Sequence, residues 1–208
     1  MEITRRKAFF DLSTLAGAAL LGGCAVNPVT GRRELMLMTE GQEISLGRES
    51  HPQILAEYGV YTDKPLQDWF NVRGQEMARV TQRSQLAYTF TVLDSPVVNA
   101  FAVPGGYVYV TRGILGYFND EAQFAGVVGH ELGHIAARHS ASQYSKAQLA
   151  NLSLGIGAIF SDEFARYAEL ASVGASLMFL KFSRDDERQA DRLGVQYSSA
   201  VGYDAARM

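Results

Sequence analysis

Residues 119–135 read NDEAQFAGVVGHELGHI, and this stretch decides the fold around it. Asp120 and Gln123 form a capping pair for a helix, with Asn119 as an alternative cap, and the apolar residues that follow recur at helical spacing. Glycine weakens a helix by up to about 1 kcal/mol, so several of them in one helix indicate that another part of the chain approaches its backbone. Three lie on this helix: Gly126, Gly129 and Gly133.

Two histidines of this helix are spaced for metal binding. Side chains four residues apart project from one face, so His130 and His134 offer two imidazole nitrogens to one ion, with Glu131 beside them. The chain has only four histidines, and chance would place this pattern in about one such sequence in several hundred. We therefore predict a site for one zinc ion per chain rather than two ordinary helix histidines.

A catalytic zinc needs a third protein ligand and an open position for water. The best candidate is Glu187, which follows Ser183, a residue suited to capping a new helix. Asp191 lies four residues later and shares the face of Glu187. Asp185 and Asp186 fit better as carboxylates that interact with the dipole of the helix's first turn.

The chain before the motif predicts two helices and a small sheet. Thr39 and Gln42 form a capping pair for a helix over 40–58, and Asp63 starts a second helix. Alternating residues over 88–92 predict a strand. Two further strands are predicted over Val97–Val103 and Tyr107–Thr111. The core face of the second helix is predicted to consist of Leu66, Trp69, Phe70, Met77 and Val80.

Two apolar stretches after the motif are too short or too charged to be membrane spans. Residues 147–160 form a run of only 14 residues, and residues 168–182 include Glu169. A span needs about 18 or more nearly uncharged residues, so a helical hairpin packed on the domain is favoured.

The amino terminus has the pattern of an export signal. Basic residues 5–7 precede a short apolar run, and the sequence Leu-Gly-Gly before Cys24 resembles the bacterial lipobox. Cys24 is the only cysteine, and we expect it to be lipidated after removal of residues 1–23. Residues 24–38 are expected to form an extended tether, and residues 39–208 the zinc-binding domain.

Charge and composition limit the remaining classes of function. The net charge of −3 and the pI near 5.8 provide no basic surface for phosphates, which excludes a nucleic-acid partner. His139 lies five residues after His134 and is expected to point away from the ligand face, as a structural or surface residue. The same expectation holds for His51.

Together these motifs resemble a zinc peptidase family that includes the bacterial membrane protease HtpX, the CAAX prenyl endopeptidases and several envelope lipoproteins. The resemblance runs from about Asn27 to the end. Its further motifs are Asn27-Pro28-Val29-Thr30-Gly31-Arg32, Asn99-Ala100-Phe101-Ala102 with Pro104-Gly105-Gly106, and Glu187-x-x-Ala190-Asp191.

The resemblance implies an α+β, mostly helical zincin-like domain with a small antiparallel or mixed sheet. It implies His130, His134 and Glu187 as zinc ligands, Glu131 as general base and Asp191 as a second acid or an outer-shell group. It also implies an edge strand that binds extended polypeptide substrate, formed by Asn99, Ala100, Phe101 and Ala102. Larger lipoprotein relatives extend further, so the domain is expected to be truncated after Met208.

By the same resemblance, the protein is expected in the bacterial envelope, lipid-anchored and facing the periplasm. Ala25 after Cys24 favours the outer membrane. The expected function is hydrolysis of misfolded or unassembled envelope proteins. The alternative is an envelope chaperone or assembly factor whose zinc site is gated and rarely active.

Overall fold

The computed structural model describes residues 24–153 and 181–208, and their architecture is α+β and mainly helical. The strands are β1 (Cys24–Val26), β2 (Arg33–Leu35), β3 (Thr89–Leu93), β4 (Ala100–Val103) and β5 (Tyr107–Thr111). The helices are α1 (Glu40–Tyr58), α2 (Lys64–Ala78), α3 (Arg112–Leu115), α4 (Glu121–Ala137), α5 (His139–Ser153) and α6 (Arg184–Ala200), with a 3-10 turn over Ala205–Arg207.

A three-stranded sheet with the order β3-β5-β4 lies at the centre of the domain. β4 and β5 are antiparallel and joined by residues 104–106, where Gly105 and Gly106 adopt positive φ angles of 87° and 103°. This hairpin turns β5 to run parallel to β3, with Thr89 opposite Tyr107. The sheet is therefore mixed, one of the two arrangements that were predicted.

Alternating side chains of the sheet pack on helices at both faces. Phe90 and Val108 join the larger core with residues of α2 and α4, whereas Phe101 and Tyr109 join a smaller core with Ile54 of α1. α4 consequently packs against the sheet and lies beside β4, the strand at the sheet's edge.

Local capping chemistry fixes the beginnings of the helices. Thr39 forms a capping box with Gln42 at α1, Asp63 caps α2, and Ser183 forms a capping box with Asp186 at α6. These three helix starts were predicted correctly. The predicted core position of Val80 was wrong, because α2 ends at Ala78 and Val80 remains 39% exposed.

The strand predicted over Val97–Val103 begins only at Ala100. The Thr111 hydroxyl donates to the Val97 carbonyl, and the Val97 amide donates to the Ser95 hydroxyl at 3.3 Å. These side-chain contacts hold the chain before β4 in a turn, which competes with strand pairing.

Residues 24–38 have more structure than the predicted extended tether. β1 and β2 form an antiparallel hairpin with Cys24 opposite Leu35, and the Asn27 side chain accepts hydrogen bonds from the Val29 and Thr30 amides within its turn. The segment then docks on the domain, because the Leu37 amide donates to the Ser145 hydroxyl at 2.8 Å. The domain boundary at residue 39 stays a prediction.

Two sequence predictions fall largely outside the described residues. The predicted signal peptide, residues 1–23, lies outside the described residues, and the helical hairpin predicted from residues 147–182 is described only to Ser153 of α5 and again from residue 181. Among residues 24–153 and 181–208, no helix combines the length and apolarity needed to cross a bilayer.

Candidate metal centre and active site

Glycines allow the backbones of α4 and α6 to touch. A Cβ atom on Gly129 would lie 2.7 Å from the Gly194 carbonyl oxygen, and one on Gly133 would lie 3.0 Å from the Ala190 Cα. Real Cβ atoms essentially never approach within 3.0 Å of another residue, so a larger residue at Gly129 would move the helices apart, and one at Gly133 would need a smaller shift. The predicted close approach to α4 is therefore made by α6, although Gly194 itself was not singled out from the sequence.

This packing brings His130 and His134 of α4 together with Glu187 of α6. One ligand atom from each residue lies within 4.8 Å of the others. The two Nε2 atoms are 3.0 Å apart, and the Glu187 oxygens lie 3.5 Å from His130 Nε2 and 3.8 Å from His134 Nε2. Tetrahedral zinc with bonds of about 2.1 Å separates its ligands by about 3.4 Å, so this donor set fits zinc.

Burial favours the neutral histidine that metal binding requires. His134 is buried, and desolvation together with the neighbouring His130 and His139 lowers its pKa to about 3. His130 and Glu187 are only half-buried. The ion position is thus flanked by protein on one side and accessible on the other, as a catalytic rather than a closed structural site requires.

Asp191 lies beside His130, the first histidine of the motif. Its Oδ1 is 2.9 Å from Nδ1 of His130, the ring nitrogen that does not face Glu187. A carboxylate in this position orients the ring and fixes its proton on Nδ1, which leaves Nε2 free for a metal. Of the two roles that the sequence left open, this geometry matches the orienting one.

The surroundings of Glu131 raise the pKa of its carboxyl group. Burial is the main cause and repulsion from Glu187 adds to it, whereas a hydrogen bond with the Ala102 backbone opposes them; the pKa rises to about 8. An acid with a pKa near neutrality is suited to accept and return a proton.

The helical spacing predicted that His139 points away from the ligand face, and this prediction was wrong. α4 ends at Ala137, and Arg138 adopts a left-handed conformation with φ 60° and ψ 35°. This reversal buries His139 and places its Nδ1 2.9 Å from Nδ1 of His134. Arginine at such a position has no sequence signature, so the contact could not be predicted from spacing. His51 instead contacts the Tyr109 hydroxyl at 2.7 Å.

A cavity of about 670 Å³ opens beside His130 and Asp191. Its wall comes from the segment before β4, from the loop after α3 and from α4 and α6. The lining is mainly apolar and includes Val98, Ile114, Tyr117, Phe118, Val127 and Val195. The cavity was not predicted, because its lining residues are scattered over the sequence.

The chain is similar to known metallopeptidases. The sequence profile of peptidase family M48 matches residues 65–208. The mitochondrial metalloendopeptidase OMA1 of Arabidopsis thaliana is 34% identical over 119 residues, which cover 57% of this chain and 24% of that protein. The beta-barrel assembly-enhancing protease of Escherichia coli is 26% identical over 176 residues, covering 81% of this chain and 36% of that protein.

The mitochondrial metalloendopeptidase OMA1 of Schizosaccharomyces pombe is 28% identical over 185 residues, which cover 85% of this chain and 53% of that protein. The chain therefore spans between about a quarter and a half of the length of these relatives.

Proposed function

This chain belongs to peptidase family M48, and on that premise we propose that it is a zinc endopeptidase that hydrolyses polypeptides at a membrane surface. The observation that supports the proposal is the convergence of His130, His134 and Glu187 around one position, with Glu131 beside it. Zinc bound there would polarise the scissile carbonyl and lower the pKa of a water molecule toward about 7.

Glu131 is proposed as the general base. It takes a proton from the attacking water as the new carbon–oxygen bond forms, and it then transfers that proton to the amine nitrogen, which leaves as the carbon–nitrogen bond breaks. No covalent intermediate with the protein is needed. Asp191 holds the His130 ring through Nδ1 during this reaction.

The edge strand β4 is proposed to bind the substrate backbone. The amide and carbonyl of Asn99 both face Thr111, so the alternation of an antiparallel strand turns the backbone groups of Ala100 and Ala102 to the other edge. The Ala102 backbone contacts Glu131 there. An extended peptide paired to this edge would run past the base, whereas the buried Phe101 side chain faces the core.

The apolar cavity beside His130 is proposed to receive a substrate side chain. Its volume of about 670 Å³ is large enough for an aromatic or a long aliphatic group. Such residues are buried in folded proteins and exposed in misfolded ones, which supports the proposal that the substrates are misfolded or unassembled envelope proteins.

The proposed location is the periplasmic side of a bacterial envelope membrane, with Cys24 as the lipidated anchor and the outer membrane favoured. The lipobox-like residues before Cys24 and the similarity to a bacterial protease named for beta-barrel assembly support this proposal.

The peptidase proposal is tested with unfolded casein and the full chain in detergent. We expect Glu131→Gln to lower the cleavage rate by at least about 100-fold, the size of a lost general base, while zinc content is retained. Glu121→Gln, an exposed change at the start of the same helix, should leave the rate within about twofold. If wild type and Glu131→Gln hold casein equally well and neither cleaves it, the chaperone alternative is correct.

A further inference from the structure

His139 is a buried histidine with both ring nitrogens engaged. Its exposed fraction is 2%, its Nδ1 lies 2.9 Å from Nδ1 of His134, and its Nε2 lies 3.0 Å from the Gln189 side-chain oxygen. It therefore stands between a candidate ligand on α4 and the helix that provides Glu187. The reaction proposed above does not use this residue.

The contacts determine where the protons lie when zinc is bound. His134 points Nε2 toward His130 and Glu187, so Nε2 must be free of a proton to bind a metal. Its proton is then on Nδ1 and can be donated only to an acceptor, which is Nδ1 of His139. His139 in turn carries its proton on Nε2 and donates it to Gln189.

We propose that His139 is a positioning residue for zinc binding: it accepts the Nδ1 proton of His134 and thereby fixes the tautomer and the ring orientation in which His134 binds the metal. This inference rests on the zinc site of the proposed function. A histidine ligand of zinc depends on such a partner for its basicity and orientation, and loss of the partner weakens metal binding about 10- to 100-fold.

The same residue couples the two ligand helices. Gln189, the partner of His139 Nε2, lies on α6 two residues after Glu187. Asp186 of the same helix has a carboxylate oxygen 3.7 Å from His139 Nε2. Asp186 also accepts a hydrogen bond from the Gln143 side chain of α5. Phe182 stacks on the His134 ring with centroids 4.1 Å apart. His139 is thus held on one side by α6, so that a shift of α6 would move both Glu187 and the acceptor of His134.

Two substitutions separate an acceptor role from a packing role. In His139→Asn, the side-chain oxygen takes the place of Nδ1 and can accept the His134 proton, whereas His139→Phe keeps a ring without an acceptor. We expect the zinc dissociation constant, measured by chelator competition, to rise 10- to 100-fold in the Phe variant. In the Asn variant it should stay within about threefold of wild type, although more ring packing has been lost.

A spectroscopic measurement does not depend on peptidase activity. With cobalt in place of zinc, the visible absorption of the Asn variant should match wild type and that of the Phe variant should change in energy or intensity. His51→Phe is the matched control, because His51 contacts the Tyr109 hydroxyl instead of a ligand. It should leave both the zinc dissociation constant and the cobalt spectrum unchanged.

Three outcomes would overturn the inference: wild-type zinc affinity in His139→Phe, equal loss in the Asn and Phe variants, or equal loss in His51→Phe. If the Phe variant fails to fold, Gln189→Leu and Gln189→Glu provide a second test. Gln189→Leu removes the oxygen that accepts the His139 proton and should weaken zinc binding. Gln189→Glu keeps an acceptor oxygen and should bind zinc more tightly than the Leu variant. Equal affinities of these two variants would also contradict the inference. Absence of casein cleavage would refute the proposed peptidase without changing these affinities.

Discussion

At the scale of single residues, burial shifts the pKa values of two groups of the site, Glu131 and His134. Glu131 keeps its proton up to about pH 8 in the metal-free protein because the surrounding apolar atoms and Glu187 disfavour a second negative charge. His134 stays neutral for the same reason, because burial disfavours its positive form.

The raised pKa of Glu131 predicts a pH-dependent stability. The unfolded chain releases this proton near pH 4.5, whereas the folded protein keeps it to about pH 8, so the free energy of unfolding falls as pH rises between these values. Glu131→Gln does not lose stability in this way, because the glutamine side chain does not ionise. In excess chelator, we expect the Gln variant to be more stable than wild type by about 1 kcal/mol or more at pH 8.5, and by less at pH 5.

Urea unfolding at the two pH values measures this difference. His134 contributes equally to the pH dependence of unfolding in wild type and in Glu131→Gln, so its contribution cancels in the difference between the two proteins. A gap between the variants that is the same at pH 5 and pH 8.5 would show that Glu131 ionises normally in the folded protein.

The assignment of the third ligand is also tested at this scale. Glu187→Ala should lower the bound zinc per chain well below stoichiometric, because one of three ligands is lost. Asp185→Ala is the matched control, since this exposed neighbour pairs only with Arg188 among the described residues. Metal analysis after gel filtration gives the number of zinc ions bound per chain. Stoichiometric zinc in both variants would mean that the third ligand is misassigned.

At the scale of elements, the contact between α4 and α6 decides whether the ligands meet. A methyl group on Gly194 would lie 2.9 Å from the His130 amide nitrogen and would push the helices apart. We expect Gly194→Ala to weaken zinc binding at least about tenfold and to destabilise the fold by about 1–3 kcal/mol, a typical cost of overpacking.

Gly41→Ala is the matched control, because Gly41 lies on α1 with open space around it. Alanine is the better helix former, so this change should stabilise the protein by up to about 1 kcal/mol and leave zinc affinity unchanged. Zinc titration and urea unfolding of both variants measure the two effects. Wild-type zinc affinity in Gly194→Ala would show that ligand positions do not depend on this contact.

The same elements show which parts of the fold could be predicted from sequence. Thr39, Asp63 and Ser183 fix helix starts through contacts within four residues, so their patterns are legible in the chain. His130, His134 and Glu187 were placed by helical spacing and family resemblance. The left-handed Arg138 depends on tertiary contacts and left no local pattern, so the position of His139 was missed.

At the scale of the whole molecule, a buried ion cluster joins parts of the chain that are far apart in sequence. Glu43 of α1 is 1% exposed and contacts Arg138 Nε at 2.6 Å and Arg83 Nη1 at 2.9 Å. Arg83 also donates to the Ile135 carbonyl at the end of α4, and Arg138 donates to the Met38 carbonyl. The cluster thereby connects α1, the end of α4 and the segment 24–38 that precedes α1.

We predict that Glu43→Gln destabilises the protein by about 3–5 kcal/mol, because it removes the buried carboxylate that two buried guanidinium groups share, and only Arg83 keeps another carboxylate partner among the described residues, the exposed Glu40. The exposed Glu49→Gln on the same helix should change the free energy of unfolding by no more than about 0.5 kcal/mol. Chemical denaturation in chelator measures both. Equal effects of the two changes would show that the cluster contributes no more than a surface charge.

The placement of Asp191 and Glu187 on α6 also has a consequence for biosynthesis. Asp191 comes 61 residues after His130, so a ribosome has long released α4 when α6 emerges. Until then the nascent chain has two histidines and no carboxylate from α6 to complete the ion's shell. With the proposed ligand set, tight metal binding therefore has to wait until α6 has been synthesised.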